Sequence, residues 1–265
     1  MRILKFFIVL VVVLLLGCSD NDTSNNAKLN KDAAFIKNMA RKVSENRDSA
    51  GLRFNYIDAL DSVGDYPTAI MHMDSLILKD KGNYGLWFKL GKIYEHAGDT
   101  AKAISSYQTA LKIYRAPDGL LAVINLFAET KNYSALVLCD ELDNLRLGRE
   151  YDSYTNFFRG VYYSRIGKRQ EAISYFNKSI VSNYTFTDAY MEKGFTYFDD
   201  KKIDDALAVF VKAAAVNTVY ADAYYWQAKC FEAKTNNSKA LELYQQALAL
   251  DKTLHQAEDA IKRLK

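Results

Sequence analysis

Apolar residues along this chain are grouped rather than scattered. Phe6 to Leu16 is an unbroken apolar run of 11 residues, preceded by Arg2 and Lys5 and followed by the polar stretch Ser19 to Asn30. A bilayer span needs about 20 such residues. The run is too short for that and reads as a secretory signal. Further on, Phe35, Ile36, Met39, Ala40 and Val43 fall at helical spacing. They predict an amphipathic helix over 31–46.

From residue 50 onward the pattern repeats every 34 residues. One block carries Trp87, Leu90, Gly91, Tyr94, Gly98, Asp99, Ala103, Tyr107 and Ala110. A second carries Gly160, Tyr163, Gly167, Ala172 and Phe176. A third has Tyr190, Gly194, Tyr197, Ala206, Phe210 and Ala213, and a fourth Tyr224, Ala228, Phe231, Ala240, Tyr244 and Ala247. A looser copy runs through Leu60, Gly64, Asp65, Tyr66, Ala69 and Met73. These place repeats at 50–83, 84–117, 153–186, 187–220 and 221–254. The segment 118–152 is a degenerate repeat. It has two helical apolar patterns, Leu120 to Phe127 and Tyr133 to Leu145, lacks a glycine at the helix crossing, and slips the frame by 1 residue. Residues 255–265 predict a capping helix with a polar face. Glycine inside a helix costs about 1 kcal/mol relative to alanine. Gly91, Gly160 and Gly194 therefore predict close approach of paired helices.

The block at Trp87 matches W-x2-L-G-x2-Y…A-x3-F and resembles the tetratricopeptide repeat, or TPR. The resemblance covers 50–254. It implies an all-α TPR solenoid of about six helix-turn-helix repeats over 31–265, with flanking helices at both ends. It also implies a concave groove lined by the first helix of each repeat. At the lining positions stand Tyr154, Phe157, Met191, Phe195, Phe198 and Tyr225. These are the candidate partner-binding residues, competing with the reading that such aromatics only pack on one another. The lysine and asparagine arrangement with which chaperone-binding repeats hold a peptide carboxylate is not present.

Leu15-Leu16-Gly17-Cys18 resembles the lipobox of bacterial lipoproteins. That resemblance implies a signal peptide over 1–17 and a diacylated Cys18 as the first mature residue. Ser19, rather than aspartate, follows the cysteine, which by the same resemblance favours the outer membrane. Residues 18–30 then read as lipidated cysteine and flexible tether; its 12 residues after Cys18 reach at most roughly 40 Å.

Charge and chemistry narrow the function. The formal charge of +3 falls to +1 once Arg2 and Lys5 are removed, which does not suggest nucleic-acid binding. The sequence holds no G-x-S-x-G, H-E-x-x-H, Walker or dinucleotide-binding motif. His72, His96 and His255 sit in different segments, so no metal or other cofactor is expected. Asp199, Asp200, Asp204 and Asp205 flank a helix turn and read as caps of the second helix. Cys139 and Cys230 lie 91 residues apart and read as free buried thiols. The expectation is a non-enzymatic, membrane-tethered scaffold of the bacterial envelope that binds a protein or peptide in its groove. The alternative is an assembly subunit acting through its convex face or ends, and an enzyme with an unrecognised site comes third.

Overall fold

The computed structural model describes residues 22–265, with side chains from residue 33. Among them are fourteen helices and no strand. Helix α1 covers Asp22–Glu45. The pairs that follow are α2 (Ala50–Ser62) with α3 (Tyr66–Lys79), α4 (Tyr84–His96) with α5 (Thr100–Ile113), and α6 (Pro117–Glu129) with α7 (Ser134–Asn144). Then come α8 (Arg149–Arg165) with α9 (Arg169–Ser182), α10 (Thr187–Asp199) with α11 (Ile203–Val216), and α12 (Ala221–Ala233) with α13 (Asn237–Leu250). Helix α14 (His255–Leu264) ends the chain. Cys18 lies outside the described residues. Helix α1 takes in 22–30, which polarity alone marks as tether.

The chain divides into two compact units, one up to Gly119 and one from Leu120. In the first unit, Met39 and Val43 of α1 join Ile57, Leu60, Met73, Leu76, Leu90 and Ile93 in one core. In the second, Met191, Ala206, Phe210, Ala213, Ala223 and Cys230 form the core across α10 to α12. Ala228, Ala240, Tyr244, Ala257 and Ile261 continue it to α14.

Three pairs, α4–α5, α8–α9 and α10–α11, close the same way. A Cβ placed on Gly91 would meet the ring of Tyr107 at 2.5 Å, and one on Gly160 would meet Phe176 at 2.5 Å. Gly194 stands in the same relation to Phe210. The missing side chain is the slot into which the second helix inserts its ring. The turn inside each pair needs a left-handed residue. Gly64, Gly98 and Gly167 supply it at φ 80°, 77° and 82°. Lys131, Lys201 and Thr235 take the same place at φ 62°, 63° and 59°, where a side chain is strained.

The frame slip has a local cause. Helix α7 has 11 residues where α9, α11 and α13 have 14, and α8 has 17 where α10 and α12 have 13. The interior here is polar: Ser153, Thr155 and Ser179 are fully buried and Arg159 nearly so. Ser153 Oγ lies 3.1 Å from both the hydroxyl and the carbonyl of Ser179. Thr155 donates to Asp143 at 2.6 Å, and Arg159 pairs with Asp140 and Asp143.

Candidate interaction surface

The six candidate residues fall into two aromatic groups and one core position. Tyr154 and Phe157 of α8 meet at Phe186, with ring centroids 5.3 and 4.9 Å away. Phe195 and Phe198 of α10 meet at Trp226, at 4.8 and 5.4 Å. Tyr225 touches Trp226 edge-on at 5.8 Å and Tyr244 at 5.4 Å. All five aromatics are half-buried. Met191 is corrected: it is 3% exposed and turned into the core with Ala206 and Phe210, so it lines no surface.

Sequence reasoning missed the residues that organise these groups. Phe186 and Tyr220 immediately precede α10 and α12, where a capping side chain would stand, and neither caps its helix. With Leu254 before α14 they recur every 34 residues, which is the signal that points to them. Phe186 wedges its ring against Tyr154 and Phe157 of α8 instead, while Tyr220 and Leu254 pack against the cores of the second unit. The carboxylates Asp188 and Asp222, in the first turns of α10 and α12, were also missed. Both are exposed, yet protein on their inner side desolvates them and raises their pKa. Tyr220 is pushed up to about 12 by burial first and then by Asp188, Asp222 and Glu192. Tyr154, raised chiefly by burial, also feels Asp188. A row of acidic and phenolic groups therefore runs along the first helices of the second unit.

Beneath this row lies an ionic clamp. The Arg165 guanidinium donates to Glu129 through Nε at 2.7 Å and Nη2 at 2.9 Å. It donates to Glu192 through Nη1 at 3.0 Å and Nη2 at 3.1 Å. One side chain of α8 thus ties α6 to α10. Burial raises the Glu192 carboxyl, with Arg165 opposing. Arg165 is held fully charged by its two partners.

The first unit has an ionic network of its own between α2 and α4. Lys89 pairs with Asp58 at 2.7 Å and Asp61 at 2.9 Å, and His96 meets Asp61 at 2.7 Å. Burial raises the Asp61 carboxyl, but hydrogen bonds from His96 and Lys89 bring it below its ordinary range. His72 is half-buried between Tyr56 and Arg53. Tyr107 donates to Glu95 at 2.8 Å, as Tyr244 does to Glu232 at 2.7 Å in the second unit.

The aspartates around α10 and α11 do not cap as expected. The residue preceding α11 is Lys202, without a capping side chain. Asp200 pairs with Lys202 at 2.9 Å and Arg169 at 3.5 Å, while Asp204 and Asp205 sit in the first helical turn. Cys139 and Cys230 are buried free thiols, each pushed up to about 12 by desolvation. Among the described residues, no group of three or more His, Cys, Asp or Glu is placed to hold a metal ion. No helix of the described residues is long and apolar enough to cross a membrane.

Tetratricopeptide-repeat family models match residues 84–116 and 191–255. The fold is the all-α TPR fold, as its likeness to solved TPR structures shows. No curated protein matches the sequence. A tetratricopeptide repeat protein from Parabacteroides merdae is 16% identical with a TM-score of 0.70, over 92% of this chain and 96% of that one. PilW, a type IV pilus biogenesis factor, is 18% identical with a TM-score of 0.63, over 82% of this chain and 98% of its own. Yeast Tom70 is 10% identical with a TM-score of 0.59, over 89% of this chain and 58% of Tom70. Tetratricopeptide repeats mediate protein–protein interactions and are generally non-catalytic.

Proposed function

We propose that this chain is a non-catalytic interaction scaffold of the bacterial cell envelope, held at the outer membrane by lipid on Cys18. It binds a peptide or helix of a partner protein along the first helices of its second unit. One observation carries the binding reading. Tyr154, Asp188 and Asp222 recur on successive first helices, and the two carboxylates have no ion pair of their own. Charges left unpaired in a continuous row are free to meet a partner.

The tether rests on the lipobox sequence and is tested by metabolic fatty-acid labelling. Wild type takes up label and Cys18→Ala does not; equal labelling of both contradicts the anchor. The binding row is tested by photo-crosslinking from position 222 against position 246, on the exposed face of α13. Adducts from 222 alone support the row.

A second reading is an assembly subunit working through the convex face or the ends. It is favoured by Val181 at the end of α9 and by Tyr184 and Val219 in the connections after α9 and α11, which are 74%, 74% and 71% exposed. Adducts from 246 alone would favour it.

A further inference from the structure

The one departure from repeat geometry builds a cleft. The extra turn of α8, Arg149 to Asp152, stands beside α9. The last turn that a full-length α7 would supply is missing. Arg149 fixes the turn by donating to the carbonyl of Val181 at 2.7 Å. Arg146 at φ 52° and Gly148 at φ 97° swing the chain from α7 into α8. The cleft left between α7, α8 and α9 has a volume of about 540 Å³. Small-ligand sites ordinarily have about 300–1,000 Å³.

Apart from Val181, the side chains that line this one are all polar or charged. Asp143, Asp152, Asn156 and Asn177 line it with carboxylates and amides. Ser174 and Ser182 add hydroxyls. Asp143 is engaged by Arg159 and Thr155, and Asn156 donates to the Asp152 carbonyl at 2.7 Å. The side chains of Asp152, Asn177, Ser174 and Ser182 keep their hydrogen-bonding capacity free of protein partners. Lys178 lies over the ring of Tyr175 at 4.6 Å, with its ammonium at the same cleft.

We infer that this cleft binds a neutral, hydroxyl-rich ligand, a saccharide. A sugar hydroxyl both donates and accepts. The cleft offers acceptors in its carboxylates, donors in its ammonium, and both in its amides and hydroxyls. The lining holds two carboxylates, Asp143 and Asp152, and one ammonium, Lys178, and Asp143 is already engaged by Arg159, so no strong charge is left to select an ion. A peptide would need an apolar pocket for its anchoring side chains, and Val181 is the one apolar residue in the lining.

The test is a titration of the full chain with maltose, cellobiose and N,N′-diacetylchitobiose, followed by NMR. At least one sugar should bind saturably. The pair Asp152→Ala with Asn177→Ala should weaken it about tenfold or more, as expected for losing two hydrogen bonds. The melting temperature should not move, because both residues are exposed. Lys193→Ala, on α10 away from the cleft lining, should bind as wild type. The inference is overturned if none of the three sugars binds, or if binding survives the double substitution. It is equally overturned if trilysine or inorganic phosphate moves the same resonances more strongly than any sugar.

Discussion

In α10 to α13 the helices are held by shape: Gly194 makes room for Phe210, while Ala206, Ala213, Ala223 and Ala240 admit close contact. In α7 to α9 the Gly160–Phe176 slot is kept, and buried hydrogen bonds are added to it. Cys139, Ser153, Thr155 and Ser179 are all 0% exposed, and Arg159 is 8% exposed between two aspartates. Shape recurs with the repeat and any neighbour can reuse it. Buried polar groups must each find a partner, so they specify one arrangement at one place. The shape-packed region builds the uniform row of first helices. The polar region builds the irregular cleft.

The largest expected effect is at the clamp. Arg165→Met leaves Glu192 buried beside Glu129 with no cation. Breaking a buried pair in this way costs about 3 kcal/mol or more. Arg165→Met with Glu192→Met should recover most of that loss, because no charge is then stranded. Denaturant midpoints read both, and a double variant no more stable than the single would break the contrast.

A smaller loss is expected where packing is steric. Ala206→Leu overfills a fully buried contact and should cost about 1–3 kcal/mol. Asp205→Leu, exposed in the same helical turn, should change stability by about 0.5 kcal/mol at most. If the neighbour proved the more damaging, the helix faces assigned to α11 would be wrong.

The smallest effect is a gain. Thr235 holds a left-handed conformation that glycine adopts freely. Thr235→Gly should raise stability by about 0.5–1 kcal/mol, the relief of strain less the added chain entropy. An unchanged melting temperature would mean that the turn carries no strain.

These contrasts also separate what the sequence made legible from what it hid. The all-α repeat fold followed from volume rules with a fixed period, and glycines inside helices marked the close contacts at Gly91, Gly160 and Gly194. The wedges Phe186 and Tyr220 were legible in principle, since they recur at the same period, but they fall between helices where apolar periodicity gives no guide. Met191 was misplaced because a lining position counted along one helix says nothing about which neighbour covers it. Arg165, Glu129 and Glu192 carried no signal at all. They come from three different helices, and their charges read individually as surface residues. The same holds for the cleft, whose lining is drawn from three helices and owes its opening to a shortened α7.

The central claim is that the acidic row is free for a partner while the aromatics beneath it are packing. Asp188→Lys with Asp222→Lys, in the full chain, tests it most directly. Quantify the partner that crosslinks to wild type in envelope membranes, together with the melting temperature of each variant. The account predicts an unchanged melting temperature with partner recovery lost. Phe195→Ala with Tyr225→Ala should instead lower the melting temperature. Full recovery from a stably folded Asp188→Lys, Asp222→Lys chain would contradict the account.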